Sequence, residues 1–124
     1  PLGGIITALD TFPDAEVVVV SAGDLVAPRG DVVVRVLDEL DGSVDLQLVV
    51  PVVAGRVQWL LGAWRRSARS PLHDAFAAGE RAIHRAARGL IVRTIDGVDP
   101  QALRDVDTPE DLAAADPARR RELP

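Results

Sequence analysis

The chain has 124 residues, the size of one domain, and 48% of them are apolar, mostly Val, Leu and Ala. Its net charge of −5, with every basic residue an Arg, argues against a nucleic-acid partner. With no cysteine, disulfides and thiol nucleophiles are excluded; the apolar runs are too short for a membrane span and no signal peptide is visible, so a cytoplasmic location is expected.

Gly4 to Thr11 reads as a short helix with Ile5, Ile6 and Leu9 on one side, ended by Pro13-Asp14. The unbroken apolar run Val17 to Ser21 predicts a buried, central strand, followed by a loop from Gly23 to Gly30. Asp31 is placed to cap the next helix. There Val32, Val33, Val36, Leu37 and Leu40 recur with helical spacing while Arg35, Asp38 and Glu39 face away.

Leu46 to Val53 reads as a second strand broken at Pro51, with a tight turn at Ala54-Gly55-Arg56 and a short return at Val57. Leu60, Leu61 and Trp64 then predict the start of a helix whose exposed side carries Arg65, Arg66 and Arg69. Ser70-Pro71 begins another helix, broken near Gly79, and Glu80 to Arg88 continues with Ile83, Ala86 and Ala87 inward. Leu90 to Ile95 is a third strand, turned by Asp96-Gly97. Thr108-Pro109-Glu110-Asp111 starts a last helix that ends near Asp116-Pro117. The alternation predicts an α/β domain over residues 1–116, with a parallel or mostly parallel sheet flanked by helices, and a solvated tail over 117–124.

Few residues put a charge where chemistry can use it. Asp24 follows the first strand, at the carboxyl end where open α/β sheets bind ligands. It reads either as a loop aspartate bonding its own backbone or as a ligand for a hard divalent cation such as Mg²⁺. Gly3 and Gly4, ahead of the first helix, form a tight turn or admit a flat ligand close to the backbone, near free helix N–H groups. Asp105 and Asp107 project to one side if their segment is extended. They read as a second half of a metal site or as a charged approach to the last helix. His73 and His84 match no zinc spacing and read as surface or half-buried residues, and Trp59 and Trp64 as core or rim.

Three segments in order carry a resemblance: Pro1-Leu2-Gly3-Gly4, then Val17 to Asp24, then Asp105-Val106-Asp107-Thr108-Pro109-Glu110-Asp111-Leu112. Ala54 to Leu60 and Ala78 to Arg81 fit between them. The chain resembles the MobA-like nucleotidyltransferases, the molybdenum cofactor guanylyltransferases and their relatives. The resemblance implies a Rossmann-like three-layer α/β/α fold and transfer of GMP from GTP to molybdopterin with release of pyrophosphate. It matches Asp24 to the aspartate that binds Mg²⁺ and Leu2, Gly3 and Gly4 to a nucleotide contact near base and ribose. Asp107 would join the metal site and Asp105 the pterin, at positions where the family often carries asparagines.

The chain departs from the family at Gly23-Asp24-Leu25-Val26, where Cys-Asp-Met-Pro is common, and at Gln58-Trp59-Leu60, where Gln-Pro-Leu is frequent. The family's opening strand, its glycine-rich triphosphate loop and the lysine after it have no counterpart here. The resemblance therefore implies the C-terminal two-thirds of such an enzyme, inactive or nearly so alone, with an exposed sheet edge that a missing N-terminal segment or self-association would cover. A non-catalytic partner module that keeps the fold, or a related CTP or sugar-phosphate nucleotidyltransferase, stands as the alternative.

Overall fold

A computed structural model of the protein describes residues 2–21 and 30–98. Helix α1 (Leu2–Thr11) forms because Leu2, Ile5, Ile6 and Leu9 repeat at three- and four-residue steps, and all four are buried. Strand β1 (Val17–Ser21) follows a short turn. Helix α2 (Gly30–Asp41) buries Val32, Val36 and Leu40. Asp31 lies inside α2 rather than ahead of it, so the helix starts before its predicted cap.

Strand β2 (Leu48–Val53) runs through Pro51 without a break. It pairs with a first antiparallel neighbour at Leu48 and Val49 and with the return strand β3 (Arg56–Val57) at Val52 and Val53. Pro51 stands between these two antiparallel pairings, where its carbonyl accepts the Gln58 N–H at 2.9 Å, and on the strand's other side it is in register with Ile95. Ala54 and Gly55 carry φ of 51° and 78°, the two positive values that a two-residue hairpin turn needs.

The predicted helix at Leu60 is instead strand β4 (Leu61–Arg65). It lies between β1 and β2 and is antiparallel to both. A 3-10 turn (Arg66–Ala68) leads into α3 (Arg69–Ala77), so Arg69 opens that helix. Gly79, at φ 100°, breaks the chain as expected. Helix α4 spans only Ile83–Ala86 and passes into a 3-10 turn at Ala87–Gly89. The helix predicted from Glu80 starts late because the Glu80 carboxylate accepts the N–H groups of Arg81 and Ala82, both at 2.9 Å. Strand β5 (Val92–Ile95) pairs parallel with β2 on the side away from β4.

The mostly parallel sheet is therefore corrected. β1, β2 and β5 run in one direction, but the reversed β4 stands between β1 and β2, and only β2 and β5 form a parallel pair among the described residues. β1 has β4 as its one partner among these residues, so it lies at a margin of the described sheet and not at its centre.

Two cores make three layers. Leu48, Val50 and Trp64 point from the sheet toward α1, α3 and α4 and meet Leu2, Ile5, Leu9, Leu72 and Ile83. Val49, Val53, Leu61 and Ala63 point the other way and meet Val32, Val36 and Leu40 of α2. The expected α/β/α arrangement is what these alternating faces build.

Candidate functional site

Two adjacent arginines fix which way the helices run across the sheet. Arg65, at the end of β4, donates from Nε to the carbonyl of Leu46 (2.7 Å) and from Nη2 to those of Leu40 (2.7 Å) and Ser43 (3.2 Å). Arg66 donates from Nε to Ala15 (2.7 Å) and from Nη2 to Leu9 (2.8 Å) and Phe12 (2.6 Å). The first guanidinium holds the C-terminal end of α2 and the second that of α1, each beside the start of β1, where Val17 faces Arg65. Both helices therefore aim their N-termini at the opposite edge of the sheet. That edge is where β1, β2 and β5 all end, and where β4 begins. The positive poles of two helix dipoles and the carboxyl ends of three like-directed strands share it, the arrangement with which open α/β sheets meet anionic ligands.

The first turn of α1 brings Leu2, Gly3 and Gly4 to this edge. They lie within the helix rather than in a turn ahead of it. Leu2 as a whole residue is fully buried in the core. A Cβ on Gly3 would stand 3.4 Å from Phe76 Cε2, and the Gly3 carbonyl accepts the Thr7 hydroxyl at 2.9 Å. Gly4 differs: it is exposed, and a Cβ there would meet nothing within 4 Å among the described residues. An exposed helical glycine costs about 1 kcal/mol relative to alanine, and no described neighbour requires it.

Gln58-Trp59-Leu60 reaches the same edge, turning into β4 through the Leu61 N–H on the Gln58 carbonyl (3.1 Å). Leu61 pairs with Ser21, the last residue of β1. Trp59 is half-buried and packs on the α1 side of the sheet; Leu60 is 40% exposed. Sequence reading missed this segment because it assigned Leu60 to a helix. The signal that finds it is the turn at Ala54-Gly55, which sends the chain back along β2.

Asp24, Asp105 and Asp107 lie outside the described residues. In sequence, Asp24 follows Ser21 by three positions. Among the described residues no group of three or more His, Cys, Asp or Glu could hold a metal ion. His73 and His84 are both exposed, as expected of surface residues. At the α3–α4 junction, Glu80 is held below the usual glutamate range by the N–H groups of Ala82 and Arg81, with Arg85 adding to them. Arg81 lies over the Phe76 ring at 3.8 Å and donates to the Phe76 carbonyl. No helix among the described residues is long and apolar enough to cross a membrane.

The model of the MobA-like NTP transferase domain matches residues 1–95. No curated protein matches the sequence. Among solved structures, the chain is similar to the molybdopterin-guanine dinucleotide biosynthesis protein A of Archaeoglobus fulgidus, with a TM-score of 0.74 and 23% identity over 98% of this chain and 63% of that one. It is also similar to the 4-diphosphocytidyl-2C-methyl-D-erythritol synthase of Anaerococcus prevotii, with a TM-score of 0.63 and 13% identity over 96% of this chain and 64% of that one. The chain thus spans less than two thirds of the length of either structure, and at these identities the likeness is one of fold.

Proposed function

The chain belongs to the MobA-like NTP transferase domain family, and from that premise we propose that its protein is a Mg²⁺-dependent nucleotidyltransferase that moves GMP from GTP onto molybdopterin. The observation that carries this reading is the edge where β1, β2 and β5 end beside the N-terminal turn of α1. In sequence, Asp24 follows the last residue of β1, Ser21, by three positions.

In the proposed reaction an oxygen of the molybdopterin phosphate attacks the α-phosphorus of GTP. The bond from that phosphorus to the departing bridging oxygen breaks, and pyrophosphate leaves. Such transfers are accelerated mainly by positioning and by neutralising charge. Asp24 and Asp107 would hold Mg²⁺, which supplies positive charge at the phosphates when bound; hard oxygen donors of this kind suit that ion. Asp105 would face the pterin. Leu2, Gly3 and Gly4 would form the contact near base and ribose, and the open surface at Gly4 leaves room for such an approach. A cytoplasmic location belongs to the same proposal, as does coverage of the β1 edge by a further segment or by a second copy.

Calorimetric titration of the protein with GTP and with CTP, each with Mg²⁺, tests the donor. Binding of GTP in preference to CTP is expected, and binding of neither refutes the reading. The Anaerococcus structure, whose name is that of a cytidyl-transferring synthase, gives the CTP donor its standing as the second reading. Asp24→Asn separates both from a non-catalytic partner module. It is expected to abolish turnover without lowering the melting temperature, whereas a partner module would keep its binding unchanged.

A further inference from the structure

The two tryptophans have different environments. Trp64, inside β4, is fully buried between the sheet and the helices on the α1 side. Trp59 is half-buried, two residues before β4, at the edge where β1 ends. It packs against the same core that receives Leu2 of α1, so it shares both face and edge with the first turn of that helix. Two residues on, Gly4 is exposed on the helix side turned away from that core, with no described atom within 4 Å of where a Cβ would stand. A half-buried indole at the edge where β1 ends, on the same face of the sheet as the first turn of α1, offers a surface against which a flat ring can lie.

We propose that Trp59 is a specificity-determining residue of this site, stacking on the fused 2-amino-4-oxopyrimidine ring that guanine and pterin share. The inference rests on the transferase reading for its choice of ring, and adds a residue that this reading does not use. Aromatic stacking favours extended fused rings over single ones, because more π surface is covered. Alanine substitution at such a contact weakens binding by about five- to 150-fold.

Because the chain has only these two tryptophans, each gives one indole N–H resonance in a ¹H–¹⁵N spectrum. Trp59→Phe assigns them. Neutral guanosine, neutral 6-methylpterin and cytidine serve as probes, since none needs a metal or a triphosphate loop. A shift of the Trp59 resonance with guanosine identifies the donor base as the stacked ring; a shift with the pterin identifies the acceptor. Either supports the proposal, provided cytidine shifts it less. Trp59→Leu is expected to weaken that ring at least fivefold, and Trp59→Phe to restore most of the loss, with melting temperatures reported for both. An unmoved Trp59 resonance with both fused rings, or equal affinity in the wild type and Trp59→Leu, overturns it. Should Trp59→Leu fail to fold, the wild-type titration alone decides. The Asp24→Asn test reads metal-dependent turnover and is independent of this outcome.

Discussion

Gly62 of β4 faces Val50 of β2 so closely that a Cβ at position 62 would stand 2.9 Å from Val50 Cγ1 and 3.0 Å from Leu48 Cδ1. The Val49 carbonyl would be 3.2 Å away. The glycine therefore answers a steric demand in the centre of the sheet. It lets the side chains of β2 lean over β4 and fill the core beside Trp64.

Gly62→Ala is expected to destabilise the chain by about 2 kcal/mol through overpacking. Val50 and Leu48 are both fully buried, so neither has solvent to retreat into. Urea denaturation measures it. A change under about 0.5 kcal/mol would mean that β2 shifts to accept the methyl group.

Arg65 and Arg66 offer a second test. Arg65 ends β4 and Arg66 opens the 3-10 turn after it; one guanidinium closes the end of α2 and the other that of α1. The two share no acceptor. Each substitution to Met is expected to cost about 2 kcal/mol, since charged donors are lost from carbonyls at helix ends. Lys, with a point charge in place of a fork, should recover part of each loss. The double substitution is expected to be additive within about 0.5 kcal/mol, as measured by chemical denaturation.

These arginines also show where sequence reading stops. Leu60, Leu61 and Trp64 have helical spacing, and the Arg65, Arg66 and Arg69 series looks like a solvated helix face. A strand whose residues Leu61 to Trp64 are all buried has no polar alternation to reveal it. The guanidinium groups of Arg65 and Arg66 are occupied by carbonyls from distant segments and that of Arg69 by the Asp10 carboxylate, which no local pattern encodes. Local chemistry was legible where it was self-contained. The apolar stripe of α1, the turn at Ala54-Gly55, the break at Gly79 and the inward Ile83, Ala86 and Ala87 all stand where the residues indicate. The direction of β4 was not legible, and with it went the sheet's mixed pairing and the position of Trp59. Of the candidate site, Leu2, Gly3 and Gly4 could be traced to one helix turn; Asp24, Asp105 and Asp107 lie outside the described residues.

Glu80 gives a pH dependence with a definite sign. Its carboxylate accepts backbone N–H groups from Ala82 and Arg81 and a bond from Arg85 Nε, and its folded-state pKa lies below the ordinary 4.5. A depressed acid stabilises the fold fully above its unfolded value, and the contribution is lost as pH falls through the folded one. Glu80→Gln should therefore melt below the wild type at pH 7. The two melting temperatures should converge as pH is lowered from 4.5 toward the depressed folded value. Divergence over that range would mean that Glu80 does not act through its charge.

Gly3 and Gly4 separate packing from ligand approach within one helical turn. Gly3→Ala sets a methyl group against the Phe76 ring at 3.4 Å, an ordinary contact distance, so stability is expected to change by under about 1 kcal/mol in either direction. Gly4→Ala adds a methyl group to open space on an exposed helix and is expected to stabilise the chain by about 1 kcal/mol. If a nucleotide lies on this turn, the same methyl group obstructs it. Affinity for GTP with Mg²⁺ should then fall while the melting temperature rises, a pair of opposite changes that a merely structural glycine cannot produce. Thermal melting beside calorimetric titration reads both, and a Gly4→Ala variant that gains stability with affinity unchanged would remove the turn from the site.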